Sequence, residues 1–163
     1  MIQDLYKRFV SSTGISTDTR KIGSGNIFFA LKGPNFNANE FAQKALSEGA
    51  ALSVVDEKAF AVSPNTLLVK NVLQTLQDLA NHHRRQLNIP VIGITGSNGK
   101  TTTKELIKIV LSEKYKCQAT EGNLNNHIGV PLTILSLKQD IEIAILEMGA
   151  NNIGDINELC DIA

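Results

Sequence analysis

Val91-Ile92-Gly93-Ile94-Thr95-Gly96-Ser97-Asn98-Gly99-Lys100-Thr101-Thr102-Thr103 is an apolar run that ends in a glycine-bracketed loop and a Lys-Thr pair. It reads as a buried strand feeding a phosphate-binding loop and then a helix. Gly96 and Gly99 permit backbone conformations and close approach that a Cβ would block, so successive N–H groups through Ser97 and Asn98 can point at phosphate oxygens. The helix adds the positive end of its dipole. Lys100 is placed to neutralise the β- and γ-phosphates, and the Thr101 hydroxyl stands where such a loop coordinates Mg²⁺, with Thr102 beside it. The full Walker spacing is missed, because Ile94 occupies the position of the first glycine. The working core is Gly96-x-x-Gly99-Lys100-Thr101. Leu106, Ile107, Val110 and Leu111 supply the expected apolar face of the helix that follows.

Upstream, Ile2, Leu5, Tyr6, Phe9 and Val10 share one helical face before Ser11-Ser12-Thr13-Gly14. Residues 27–31, 52–55 and 67–69 read as short strands, and 40–48 as a helix. Residues 1–70 are thus expected to form a small α/β unit. Val72, Leu73, Leu76, Leu79, Ala80 and His83 mark a bridging helix that Pro90 ends. The expected domains are residues 1–85 and 86–163. Downstream, strands and helices alternate through 118–120, 131–137 and 141–148, the pattern of an open, mostly parallel sheet with ligands at its carboxyl edge. The second unit stops at Ala163 inside an expected helix, so the chain is expected to be a fragment.

Composition excludes several classes. Lysine plus arginine and aspartate plus glutamate number 16 each, so no global field draws the 163-residue chain to nucleic acid or to a membrane surface. The one dense basic cluster, His82-His83-Arg84-Arg85, suits the solvated end of a helix. No apolar N-terminal run suggests export or membrane insertion, and Cys117 and Cys160 lack metal-ligand spacing. A cytoplasmic setting with two buried thiols is expected.

Two further constellations carry chemistry. Asn123-Leu124-Asn125-Asn126-His127-Ile128-Gly129-Val130-Pro131 packs amides and glycine before an apolar helix, and reads either as a ligand-orienting loop or as an ordinary turn and helix start. His127 has no identifiable partner carboxylate and reads as structural or ligand-orienting. Glu147 ends the apolar run 143–146, where a parallel strand would deliver its carboxylate beside the phosphate loop as a hard ligand for Mg²⁺. Gly149 removes bulk next to it.

Together, residues 95–102, 122–131 and 147–150 resemble the ATP-dependent Mur ligases of peptidoglycan synthesis. Within that family they are most similar to the members that add D-alanyl-D-alanine to a UDP-N-acetylmuramoyl tripeptide. Ser16-Thr17-Asp18-Thr19-Arg20 resembles the family's Asp-Ser-Arg element, and Phe28-Phe29-Ala30-Leu31-Lys32-Gly33 its Phe-Val-Ala-Leu-Lys-Gly strand. The resemblance implies a UDP-binding first domain, a central ATPase and a C-terminal domain, acting as a monomer when full-length. It implies ATP and Mg²⁺ as cofactors and UDP-N-acetylmuramoyl-tripeptide and D-alanyl-D-alanine as substrates, joined through an acyl phosphate. Lys100 and Glu147 would be catalytic, and residues 96–102 would hold the ATP phosphates. Thr101 and Glu147 would share one Mg²⁺. Thr19, Asn35 and Phe36 would lie near the uridine, and Asn123, Asn125 and Asn126 between nucleotide and muramoyl substrate.

The resemblance has departures. Thr19 replaces a serine, and residues 37–41 replace an Asp-Gly-His-Asp-Phe element. The family's carbamylated lysine and histidine for a second metal are expected downstream of Ala163. A non-catalytic nucleotide-binding or regulatory P-loop module is the alternative, and another P-loop ligase or kinase is a third reading that leaves the Asn-rich loop unexplained.

Overall fold

The computed structural model describes all 163 residues, which divide into two compact units, Met1–Leu76 and Gln77–Ala163. The division falls inside one helix, α3 (Val72–Gln86). Val72, Leu76, Leu79 and Ala80 are buried along it, as the apolar spacing requires.

The first unit opens with α1 (Ile2–Val10), which buries Leu5 and Phe9. Four parallel strands follow, β1 (Ile15–Ser16), β2 (Ile27–Phe29), β5 (Leu52–Val55) and β6 (Thr66–Leu68), in the order β1-β2-β5-β6. β2 and β5 are central and buried on both faces, which explains their unbroken apolar runs. A small antiparallel pair, β3 (Lys32–Gly33) and β4 (Phe36–Asn37), interrupts the expected longer strand after Phe29. The predicted 40–48 helix is a 3₁₀ turn, Ala38–Phe41, running into α2 (Ala42–Ser47). Ala38, Ala42 and Ala45 pack with Phe28, Ala30 and Val55 beneath that segment. Small side chains there let the helix lie close on the sheet.

In the second unit β7 (Val91–Ile94), α4 (Lys100–Ser112), β8 (Cys117–Ala119), α5 (Gly129–Leu135), β9 (Ile143–Glu147) and α6 (Asp155–Ile162) follow one another. The sheet is parallel throughout, in the order β7-β9-β8, with Ile94 opposite Glu147. All three strands therefore end at one edge. Ile94, Ala119, Ile143 and Ile145 form its core with Ile107 and Leu111 of α4.

Three sequence expectations change here. α4 turns Ile107 and Leu111 inward but leaves Leu106 59% and Val110 68% exposed, because the packing face also includes Lys104 and is rotated from the predicted stripe. Cys160 is exposed, with its Sγ 3.9 Å from the Sδ of buried Met148, and Cys117 is half-buried. Within the basic cluster His83 is buried, and burial lowers its imidazole pKa. Arg84 caps the end of α3 through the Leu87 carbonyl at 3.0 Å. No helix is long and apolar enough to cross a membrane.

Candidate functional site

The loop between β7 and α4 takes the shape its glycines allow. Gly96 has φ +147° and Gly99 φ +77°, both costly for any residue with a Cβ. Gly99 caps α4, and its carbonyl accepts the first intrahelical bond, from the Thr103 N–H at 2.9 Å. The amides of Lys100, Thr101 and Thr102 precede that bond and carry the positive end of the helix dipole. Ser97, Asn98 and Thr102 are exposed along the rim. Lys100 folds back, its Nζ donating to the Gly96 carbonyl at 2.8 Å.

Glu147 stands beside this loop at the end of β9, and it is buried at 3% exposure. Such burial rules out an incidental strand-end carboxylate, because an ionised side chain withdrawn from water needs partners. It has two. Thr101 Oγ1 donates to one carboxylate oxygen at 2.9 Å, and Asn125 Nδ2 donates to the other at 2.8 Å. Asn125 is itself fixed, since its carbonyl accepts from Gly149 N at 2.8 Å. A Cβ on Gly149 would lie 3.2 Å from Asn125 Cγ, so the glycine makes room for that amide. A hydroxyl and a carboxylate at one point form an all-oxygen donor pair, the chemistry a hard divalent cation such as Mg²⁺ selects, and they fit that ion.

The Asn-rich loop divides its labour. Asn126 Oδ1 accepts from the backbone N–H groups of Ile128 and Gly129 at 3.1 and 2.9 Å, which makes it the start signal of α5. Asn123 is exposed, and its carbonyl closes a tight turn to Asn125 N. His127 does have carboxylate partners: its Nε2 lies 2.9 Å from Glu158 and 3.9 Å from Asp155.

Sequence reasoning missed Lys104 and Thr120. Lys104 is 1% exposed and donates to the Thr120 carbonyl at 2.7 Å, while Thr120 Oγ1 accepts from Glu147 N at 2.9 Å. The available signal was a lysine in step with Ile107 and Leu111 on an amphipathic helix.

In the first unit a cavity of about 560 Å³ is lined by Thr19, Arg20, Phe36, Phe41 and Lys44, among others. The rings of Phe36 and Phe41 stack at 5.7 Å, and Phe36 is 57% exposed. Asn35 lies beyond the cavity lining, between β3 and β4, so the structure groups Thr19 with Phe36 and leaves Asn35 apart. Asp18 on the rim caps the 3₁₀ turn Thr19–Lys21 and holds Arg20 through Nε and Nη2 at 2.9 and 2.7 Å. The Arg20 side chain, and then its backbone N–H, pull the Asp18 pKa down to about 2. What this exposed pair adds to stability is present above the ordinary carboxylate range and is lost as pH falls through about 2. A carboxyl ¹³C titration is expected to place Asp18 near pH 2, and Arg20→Ala to raise that midpoint; an unmoved midpoint would contradict the pairing.

The sequence profile of the Mur ligase middle domain matches residues 94–163. UDP-N-acetylmuramoyl-tripeptide--D-alanyl-D-alanine ligase of Bacillus subtilis is 43% identical over 152 residues, covering 92% of this chain and 33% of that protein. The Escherichia coli enzyme of the same name is 40% identical over 147 residues, covering 90% of this chain and 32% of its own length. This chain therefore spans about a third of the length of these relatives. Among solved structures, MurF ligase from Thermotoga maritima in complex with ADP superposes with a TM-score of 0.86 at 35% identity, over 95% of this chain and 36% of that one. MurF from Acinetobacter baumannii gives 0.84 at 36% identity, over 91% and 33%. Residues 94–163 thus carry the Mur ligase middle domain, and over nine-tenths of its length the chain is similar in sequence and fold to ligases of that family.

Proposed function

We propose that this chain carries the UDP-precursor-binding and P-loop parts of an ATP-dependent ligase that adds D-alanyl-D-alanine to UDP-N-acetylmuramoyl-tripeptide in the cytoplasm. The observation that carries this reading is the Thr101–Glu147–Asn125 cluster beside the loop 95–99, at the carboxyl edge of a parallel sheet. Residues 86–163 are then the P-loop domain, and residues 1–85 the precursor-binding domain. In the first, the amides of residues 96–102 hold the ATP phosphates. Lys100 exchanges the Gly96 carbonyl for phosphate oxygens, a stronger charge-assisted bond. Thr101 and Glu147 hold Mg²⁺, which neutralises charge on the phosphates when bound.

The tripeptide's terminal carboxylate oxygen attacks the γ-phosphorus, and the bond to ADP breaks. The amine of D-alanyl-D-alanine then attacks the acyl carbon, phosphate leaves, and the nitrogen loses a proton to form the amide. The task of this chain's residues is to align donor and acceptor and to stabilise charge during phosphoryl transfer. Asn125 holds the Glu147 carboxylate, and Asn123 and Asn126 flank the path towards the muramoyl substrate. The cavity at Thr19 and Phe36 suits a uridine, with Phe36 and Phe41 as a stacking face and Arg20 and Lys44 as cations near its phosphates; Asn35 is assigned to the outer edge of that site.

The test is mass-spectrometric detection of the pentapeptide product from the full-length protein supplied with ATP, Mg²⁺, the UDP-tripeptide and D-alanyl-D-alanine. Nucleotide binding without product would favour a non-catalytic module. Glu147→Gln is nearly isosteric and uncharged; its amide oxygen can still accept from Asn125 while its NH₂ can donate to a rotated Thr101 hydroxyl, and it is expected to raise the Mg²⁺ concentration for half-maximal activity about tenfold or more. An unchanged Mg²⁺ curve would return Glu147 to a purely structural role.

A further inference from the structure

A positive charge lies buried one turn beyond Thr101. Lys104 is 1% exposed on the inner face of α4, in step with Ile107 and Leu111. An ammonium withdrawn from water is costly, and a methionine of similar length would fill the same volume without that cost. What the lysine adds is donors. Nζ donates to the Thr120 carbonyl at 2.7 Å and pairs with Glu105 at 3.0 Å, where the glutamate side chain is half-exposed.

The Thr120 contact belongs to a closed circuit. Thr120, 2% exposed, accepts at Oγ1 from the Glu147 backbone N–H at 2.9 Å. The Glu147 carboxylate accepts from Thr101 Oγ1 at 2.9 Å, and Thr101 returns the path to α4 one turn before Lys104. Three hydrogen bonds and a turn of helix thus tie α4 to the ends of β8 and β9. On the outer side of α4, Leu106, Ile109 and Val110 are exposed, so nothing within this unit clamps the helix from there. Ile107 and Leu111 hold its later turns to the sheet by apolar packing, and the first turns depend on this polar tether.

We propose that Lys104 is a positioning residue: by anchoring α4 to the Thr120 carbonyl it sets the separation at which the Thr101 hydroxyl and the Glu147 carboxylate together receive Mg²⁺. This rests on the reading of Thr101 and Glu147 as ligands of the nucleotide's cation. Lys104 touches neither nucleotide nor metal and acts through the other two. Groups that orient metal ligands from behind typically change metal affinity by about 10- to 100-fold when removed.

The experiment is calorimetric titration of ADP into the full-length protein over a range of Mg²⁺ concentrations, for wild type, Lys104→Met, Lys104→Arg, Glu147→Gln and the Lys104→Met/Glu147→Gln double variant. Lys104→Met is expected to raise the half-saturating Mg²⁺ concentration about 10- to 100-fold while changing Mg²⁺-free ADP affinity less. Lys104→Arg, which keeps a cation and donors, is expected to recover part of that loss. On the Glu147→Gln background, Lys104→Met should add little, because the group it positions is already gone. Wild-type Mg²⁺ dependence in Lys104→Met, or full additivity in the double variant, would overturn the proposal. So would failure of both Lys104→Met and Lys104→Arg to fold, which would confine Lys104 to the core. Pentapeptide synthesis is measured separately. Absence of product from wild type overturns the ligase reading while the Mg²⁺ shift still decides the role of Lys104.

Discussion

Lys100→Ala is expected to lower the kcat of the proposed ligase activity in the full-length protein by about 100- to 1,000-fold while leaving the fold intact. The two effects differ in size for a physical reason. In the structure the ammonium rests on the Gly96 carbonyl on a partly exposed loop, and losing such a bond costs about 0.5–1.5 kcal/mol. In the proposed phosphoryl transfer the same group would face negative charge on the moving phosphate, where one well-aimed donor is worth about 3–4 kcal/mol. The catalytic loss should therefore exceed the stability loss several-fold. Lys100→Arg should rescue poorly, since a planar guanidinium is not a substitute for a point charge in a loop shaped by Gly96 and Gly99. Steady-state kinetics paired with urea unfolding decide the matter. Near-normal turnover in Lys100→Ala would remove the P-loop from the mechanism, and unfolding of the variant would show that the Gly96 contact is structural.

The parts of this site that were legible in the sequence are those written contiguously. Gly96, Gly99, Lys100 and Thr101 lie within six residues, and although the full Walker spacing is missed, the apolar strand before them and the helical pattern after them point to the loop. Glu147 was legible because a strand end in a parallel sheet has only one place to go. What escaped was tertiary. The His127–Glu158 contact joins residues 31 apart, and no local pattern announces it. β1 and the β3–β4 pair are two-residue strands, too short to show a period. The face of α4 was misjudged because Lys104 counts as polar in any pattern, yet its stem and ammonium are buried while Leu106 and Val110 are exposed. Asn125 and Asn126 carry the same expectation in the sequence, but the structure gives Asn126 Oδ1 to the start of α5 and Asn125 Nδ2 to Glu147. Neighbouring asparagines look alike in sequence. Only the fold separates the one that holds Glu147 from the one that caps a helix.

Gly129→Ala is expected to destabilise the P-loop unit by about 3 kcal/mol, the upper part of the range for overpacking a closed site. Helix propensity argues the other way. Gly129 is the first residue of α5 and has no positive φ, so an alanine there would gain up to about 1 kcal/mol from propensity alone. The added Cβ decides the sign, since it would lie 2.4 Å from both Cα and C of Leu124 and 2.7 Å from its carbonyl oxygen. These are backbone atoms and cannot rotate away as a side-chain end would. Relief requires the 123–128 loop or the start of α5 to move, and either displaces Asn125 from Glu147 or Asn126 from the amides it caps. For a unit of this size each kcal/mol corresponds to roughly 4–8 °C, so a melting-temperature loss of about 12 °C or more is expected. The same movement should weaken Mg²⁺-dependent ADP binding, because Asn125 would no longer hold the Glu147 carboxylate. Thermal unfolding with and without Mg²⁺ and ADP reads both effects. A variant as stable as wild type would mean that the loop yields at no cost, and that the close packing of Gly129 on Leu124 does not fix Asn125.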